Sequence, residues 1–171
     1  LSDHMISKGI KSFQKFVDHV QKIEKDFWGN RFFDYAKWKE QWWREYKKKG
    51  YFTTYTGFRC SGVMSRNDVT NYPVQGSAFH CLLWSFIELD KRMERKGMNS
   101  KLIGQVHDSI ILDINPTELE SIIKLVYKVS CQDIQKVWPW IIVPLDIEIA
   151  LCPIDGSWAE KERYEFRYFF S

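Results

Sequence analysis

Apolar side chains recur at helical spacing near the start of the chain. Every third or fourth position is apolar, at Phe13, Phe16, Val17, Val20 and Ile23. Such a stripe predicts an amphipathic helix. Gly29 and Asn30 predict a break after it, and a second helix is expected from about residue 33 to residue 49. Its final lysines complement the helix dipole, and Gly50 is suited to end it.

The periodicity changes after Gly50. Residues 51–55 and 58–63 predict a short β-hairpin turning at Thr56-Gly57. The polar stretch 65–70 predicts a loop or a helix entry, and a long helix is expected to begin after Pro73. The apolar stripe of that helix consists of Phe79, Leu82, Leu83, Phe86, Ile87 and Met93.

Two apolar runs, residues 102–106 and 110–114, are separated only by His107, Asp108 and Ser109. They predict a tight hairpin with a polar tip. A carboxylate at such a tip is held rigidly by the flanking ladder, and Mg²⁺ needs carboxylate oxygens in strict geometry. Asp is also a common turn residue. Taken alone, the tip therefore favours an ordinary turn over a metal site.

The last part of the chain adds one more helix and one more strand. Asn115 is the expected N-cap, with Pro116 in the first turn. The buried stripe of this helix is formed by Leu119, Ile122, Ile123, Val126 and Val129. Residues 145–151 alternate between apolar and polar side chains, as in a strand. The order of elements predicts an α+β fold with an antiparallel sheet.

The composition is that of a globular protein, with 44% apolar and 27% charged residues among 171. A net charge of +3 permits a nucleic-acid partner without implying one. The four cysteines are widely spaced, which favours reduced thiols in a cytosolic protein over a structural zinc site. No apolar run approaches the roughly 20 residues that cross a bilayer. We therefore expect a cytoplasmic protein without a membrane partner.

Four stretches, in the same order, resemble the family A DNA polymerases, the group of bacterial DNA polymerase I and many bacteriophage replicative enzymes. Residues 102–112, with Gln-Val-His-Asp at their centre, are similar to the family's motif C. Residues 71–78 resemble its Asn-x-Pro-x-Gln-Gly-Thr-Ala segment, and residues 50–59 its Gly-Tyr-Val-x-Thr-x-x-Gly-Arg-Arg stretch. Residues 143–145 with 156–158 are similar to its C-terminal strand and closing Asn-Trp. The resemblance implies an antiparallel palm-type β-sheet, with the motif C hairpin packed on long helices.

The resemblance also implies a catalytic role for the hairpin tip. Asp108 would be one of two catalytic aspartates that hold two Mg²⁺ ions. Those ions lower the pKa of the primer 3′-hydroxyl and bridge the α-phosphate and the leaving pyrophosphate. His107 would help to position the primer terminus, although a structural histidine is the alternative. The substrates implied are primer-template DNA and a deoxynucleoside triphosphate.

Four further residues would contact DNA by the same resemblance. Asn71 and Gln75 would reach the minor groove, where every base pair offers acceptors to an amide donor. Gln105 is a weaker candidate for the same duty. Arg59 would contact the DNA backbone, with a surface salt bridge as the alternative.

Several family features are missing from the sequence. Ser109 stands where the family usually has Glu, which removes a carboxylate that could assist the metal site. No motif A segment with the second aspartate, and no fingers helix for the incoming nucleotide, is recognisable. Residues 1–50 resemble the part of the fingers after motif B, and residues 51–171 the C-terminal palm subdomain.

These gaps predict a polymerase part that is inactive alone. Its expected partner is an upstream chain or segment carrying motifs A and B, separated from it by an intron, an intein, a split gene or truncation. The N-terminal tryptophans, Trp38, Trp42 and Trp43, would then be a partly exposed docking surface. The compact, divergent motifs suggest a bacteriophage source.

Two other functions stay open at this point. Ser109 and the missing motifs favour a non-catalytic DNA-binding or interaction protein derived from a polymerase. A metal-dependent nuclease would need a cluster of carboxylates, and only Asp108 is placed convincingly.

Overall fold

The computed structural model describes residues 3–169, which form two compact units. The first contains the residues up to Thr53 together with Arg59–Pro73. The second contains Thr54–Phe58 and the residues from Val74 onwards. The prediction of a boundary at residue 50 between fingers-derived and palm segments remains a prediction.

Three helices open the first unit: α1 (Asp3–Ser7), α2 (Phe13–Asp26) and α3 (Phe33–Lys49). The Ser12 hydroxyl caps α2 by accepting the N–H of Lys15. The predicted break at Gly29-Asn30 is wrong, because a π-helical turn, Phe27–Arg31, continues the helical backbone there. The end of α3 is as predicted: Gly50 adopts φ 74°, which glycine tolerates best.

The hairpin predicted after Gly50 is present but shorter. Strands β1 (Tyr51–Thr53) and β2 (Arg59–Ser61) pair antiparallel, with Phe52 opposite Cys60. The turn between them, Thr54–Phe58, belongs to the second unit. It is closed by a hydrogen bond from the Thr54 N–H to the Phe58 carbonyl.

Helix α4 (Arg66–Arg95) starts earlier than the sequence indicated, so the start predicted after Pro73 is wrong. The cause is a reciprocal cap. The Ser65 hydroxyl accepts the N–H of Asp68, and the Asp68 carboxylate accepts the N–H of Ser65. Pro73 consequently lies inside the helix.

The core of the first unit is aromatic. Tyr46, Phe52 and Val69 are buried, with Trp42, Trp43, Cys60 and Met64 packed against them. The Tyr46 hydroxyl donates to the Gly62 carbonyl. Trp42 and Trp43 are half-buried against this core, and Trp38, also half-buried, stacks on Trp42 with ring centroids 5.7 Å apart. The docking role expected of these tryptophans remains a prediction.

The second unit holds most of the remaining elements. Strands β3 (Lys101–Val106) and β4 (Ser109–Asp113) form the predicted central hairpin. A 3₁₀ turn (Pro116–Glu118) then leads into α5 (Leu119–Tyr127), a π-helical turn (Lys128–Asp133) and α6 (Ile134–Val137). Strands β5 (Glu148–Leu151) and β6 (Glu162–Glu165) pair near the C-terminus, followed by a 3₁₀ turn (Phe166–Phe169). The predicted α+β class is confirmed, and the strands described form three antiparallel pairs.

The core of the second unit lies between α4, α5 and the central hairpin. Leu89, Met93, Ile122, Leu125 and Val129 are buried in it, with Leu102, Ile110, Leu112 and Ile114 packed against them. The stripe predicted for α4 is therefore only partly buried. Phe79, Leu83 and Ile87 keep 47%, 42% and 45% of their surface exposed.

None of the helices within residues 3–169 is long and apolar enough to cross a membrane.

Candidate active-site hairpin

The hairpin tip consists of His107 and Asp108 alone. Val106 pairs with Ser109, so the loop has two residues rather than the three expected. His107 adopts φ 52°, and the twist of a two-residue hairpin requires a positive φ at its first loop position. Strand pairing therefore extends to Ser109, the residue directly after Asp108.

The base of the hairpin is tied together by a carboxylate. Glu118 accepts the hydroxyl of Ser100 at 2.6 Å and the N–H groups of Asn99 and Ser100, both at 2.9 Å. The Ser100 hydroxyl in turn accepts the N–H of Asn115 at 2.9 Å. The entry to β3 and the exit from β4 are thus joined. These hydrogen bonds, first that of the Ser100 hydroxyl, hold the pKa of Glu118 below its usual value.

Gln105 supports the tip in a way the sequence did not indicate. Its side-chain amide donates to the His107 carbonyl. The amide braces the backbone of the loop, and its second N–H and its oxygen are not used by that contact. His107, Asp108 and Gln105 are all exposed, so the tip is open to a large partner.

The described residues do not complete a metal site around the tip. Between Asp3 and Phe169, no group of three or more His, Cys, Asp or Glu side chains is placed to hold a metal ion. An exposed carboxylate on a rigid turn fits the oxygen chemistry that Mg²⁺ prefers. Asp108 therefore suits a single ligand position in a site that needs further carboxylates.

The remaining predicted DNA contacts lie on separate elements. Asn71 and Gln75 are both exposed, one helical turn apart in the sequence of α4. Arg59 is also exposed, and its guanidinium carbon lies 3.8 Å from the centre of the Tyr51 ring. This cation–π contact holds the guanidinium, and no salt bridge to Arg59 is found among residues 3–169.

A second cluster beside α4 was missed by the sequence analysis. The Thr56 hydroxyl and Nδ1 of His80 lie 2.6 Å apart, and the Tyr55 N–H donates to the Ser77 hydroxyl at 3.1 Å. Together they fasten the Thr54–Phe58 turn to α4. Ser77 and His80 lie three residues apart on α4, and no local sequence pattern indicates that they contact a turn at least 22 residues away.

Comparison with known proteins gives one consistent result. The sequence model of DNA polymerase family A matches residues 10–160. The DNA polymerase I of Aquifex aeolicus (strain VF5) is 27% identical over 131 residues, covering 71% of this chain and 22% of that protein. The DNA polymerase I of Lactococcus lactis subsp. cremoris (strain MG1363) is 38% identical over 91 residues, covering 53% of this chain and 10% of that protein.

A solved structure shares the fold. It is the POL domain of Pol1 from M. smegmatis in complex with DNA primer-template and dNTP, with a TM-score of 0.57 and 22% identity. The alignment covers 64% of this chain and 21% of that one. The chain thus spans about a fifth or less of the length of these proteins.

Proposed function

This chain belongs to DNA polymerase family A, and we propose that it is the C-terminal part of a DNA-directed DNA polymerase. It would take part in template-directed transfer of a nucleotide to a primer 3′-hydroxyl. The observation that carries the proposal is the exposed His107-Asp108 tip on a hairpin that Glu118 closes at its base. Such a tip can hold a carboxylate in a fixed place at an open surface.

Asp108 would be one carboxylate of a two-metal site, with the second supplied by another polymerase segment. Two Mg²⁺ ions bound there would lower the pKa of the primer 3′-hydroxyl and stabilise the charge on the phosphates. The role of this chain is to present the Asp108 oxygens and to keep the tip backbone still. His107, beside it in the turn, would position the primer terminus.

The DNA contacts proposed for this chain are mostly amides. Asn71 and Gln75 would donate to the minor-groove acceptors that all base pairs share, which tests the shape of a pair and not its identity. Gln105 would contribute its second amide N–H in the same way, while its first holds the His107 carbonyl. Arg59 would contact a phosphate, since its planar guanidinium can stack on Tyr51 and still donate outward.

The chain would need a partner that carries the rest of the polymerase. We propose that residues 1–50 correspond to the fingers after motif B, and residues 51–171 to the C-terminal palm. The substrates would be primer-template DNA and a deoxynucleoside triphosphate, the ligands named for the M. smegmatis structure. A single metal-binding carboxylate cannot form the two-metal site, so the chain alone would be inactive.

A primer-extension assay tests this function. The part of the Aquifex aeolicus polymerase that precedes the family match is fused to residue 10 of this chain, where the family match begins here, and extension is measured with Mg²⁺. We expect extension by the fusion and none by the chain alone. Asp108→Ala should abolish it, whereas Asp113→Ala, at the opposite end of the same hairpin, should not.

Full extension by the Asp108→Ala fusion would refute the catalytic assignment. Salt-dependent binding of primer-template DNA by the chain, with no extension by the fusion, would instead favour the non-catalytic DNA-binding role.

A further inference from the structure

Helix α2 presents an apolar face that the first unit leaves open. The face is made of residues at helical spacing: Phe13, Phe16, Val17, Val20, Ile23 and, at the start of the π-helical turn, Phe27. Phe13 and Ile23 are 60% and 54% exposed, and Val20 is 43% exposed. Not one residue of α2 is buried. An amphipathic helix of this kind is usually covered by another surface.

Helix α3 does not cover this face. A groove of about 900 Å³ separates the two helices. On the α2 side it is lined by Gln21, Glu24 and Lys25, which are offset around the helix from the apolar face. The floor of the groove is apolar, with Trp28, Phe33 and Ala36. The apolar face and the groove lie on neighbouring sides of α2 and are together called here the α2 surface.

The charges around the α2 surface identify the class of partner. On α2 itself the basic residues are Lys15, Lys22 and Lys25, and the acidic ones are Asp18, Glu24 and Asp26. Across the groove stand Lys37, Lys39 and Arg44 with Glu40, which is paired with Arg66. Nucleic acid and anionic membranes are bound mainly through positive charge, whereas the exposed centre of the α2 face is apolar and the charges around it are of both signs. An apolar floor with a rim of both signs is suited to an amphipathic protein helix.

We infer that the α2 surface receives a helix from the part of the polymerase that lies outside the stretch matched here. This inference rests on the proposed function. The family match begins at residue 10, so α2 belongs to the shared region, whereas the matched stretch is only 22% of the Aquifex aeolicus protein. The Aquifex aeolicus protein carries several times as much chain outside its own match, and a helix of that outer chain is the proposed occupant.

Cysteine accessibility in the same fusion tests the inference. Val20→Cys and Ile23→Cys are compared with Val63→Cys, a fully exposed site off the α2 surface, in the isolated chain and in the fusion. Alkylation is followed for each peptide by mass spectrometry, which separates the native thiols. We expect labelling at positions 20 and 23 to slow at least about tenfold in the fusion, because the covering helix must leave first, and labelling at 63 to be unchanged.

Equal labelling of Val20→Cys in the chain and in the fusion would overturn the inference. A second measurement uses Val20→Glu with Ile23→Glu, which should leave the melting temperature of the isolated chain unchanged and lower that of the fusion. Primer extension separates the two proposals. If the cysteines are protected from alkylation in the fusion but the primer is not extended, only the polymerase function is contradicted. If the primer is extended but the cysteines are not protected, only the docking surface is contradicted.

Discussion

The indole N–H of Trp42 donates a hydrogen bond of 3.0 Å to the backbone carbonyl of Val69. In an uninterrupted α-helix that carbonyl would accept the N–H of residue 73. Residue 73 is Pro73, which lies within α4 and has no N–H. Val69 is 0% exposed, so a side chain has to take the place of the missing backbone donor. Trp42 therefore makes a proline tolerable inside α4.

Trp42→Phe should lower the free energy of unfolding by about 1–3 kcal/mol, because it leaves a buried carbonyl without this donor. Urea denaturation followed by circular dichroism measures the change. Trp38→Phe is the matched control, since the Trp38 ring stacks on the rings of Tyr35 and Trp42. Equal losses in the two variants would show that packing, and not the hydrogen bond, is responsible.

Pro73→Ala should partly rescue Trp42→Phe, because alanine supplies the N–H that Val69 lacks. In the wild-type background Pro73→Ala should raise the free energy of unfolding by less, because the Trp42 indole already donates to the Val69 carbonyl. The double-mutant cycle should therefore show a coupling energy of about 0.5–2 kcal/mol. Additive effects within about 0.3 kcal/mol would contradict the compensation.

The start of α4 shows what the sequence could and could not predict. Its cap, Ser65 with Asp68, is a local pattern and was present in the sequence. Pro73 is equally suited to the first turn of a helix, and from the local pattern alone the helix is expected to begin after it. The deciding contact comes from Trp42, 27 residues away, and no local pattern contains it.

The β3–β4 hairpin and the apolar stripe of α4 also show which features local sequence patterns predict and which they do not. Two apolar runs with a polar tip between them predicted strands β3 and β4 and the positions of His107 and Asp108. The carboxylate that closes the hairpin, Glu118, lies 18 residues from Ser100 and was not predicted. Spacing likewise showed that Phe79 and Leu83 share a face of α4, but spacing does not state what covers a face, and this one is exposed.

Two buried serines on α4 should respond in opposite ways to removal of their hydroxyls. The Ser85 hydroxyl has no hydrogen-bond partner among the residues described, so Ser85→Ala should raise the free energy of unfolding by about 1 kcal/mol. The Ser77 hydroxyl accepts the N–H of Tyr55, so Ser77→Ala should lower it by about 1–3 kcal/mol. Thermal and urea unfolding of both variants provide the measurement. Destabilisation by Ser85→Ala would indicate a hydrogen bond at that hydroxyl.

The cysteines should differ widely in reactivity. Burial, and secondarily the charge of Asp146, raises the pKa of Cys131 to about 11. Its thiol is therefore protonated at pH 8, and the thiolate is the reactive form. Cys152 is exposed and should be alkylated first by iodoacetamide at that pH. Peptide mass spectrometry should find Cys131 unmodified until urea unfolds the chain, and early labelling of Cys131 would contradict its burial.

The closure of the β3–β4 hairpin should depend on pH through Glu118. Its pKa is lowered in the folded chain from an ordinary value of 4.5, chiefly by the Ser100 hydroxyl and then by the N–H groups of Asn99 and Ser100. A lowered carboxyl pKa contributes stability that is fully present above the unfolded-state pKa and is lost as the pH falls through the folded-state pKa. We therefore expect the melting temperature to fall with acidification below about pH 4.5, partly through this group.

Glu118→Gln should lower the melting temperature at pH 7 and flatten its acid dependence, because the amide does not titrate. Glu120→Gln is the control, since Glu120 forms an exposed ion pair with Lys124 on α5. Amide exchange measured by NMR should show faster opening of β3 and β4 in Glu118→Gln than in the control. An unchanged acid dependence in Glu118→Gln would show that other carboxylates, such as Asp133 beside Arg92 and Lys136, determine the acid stability of this unit.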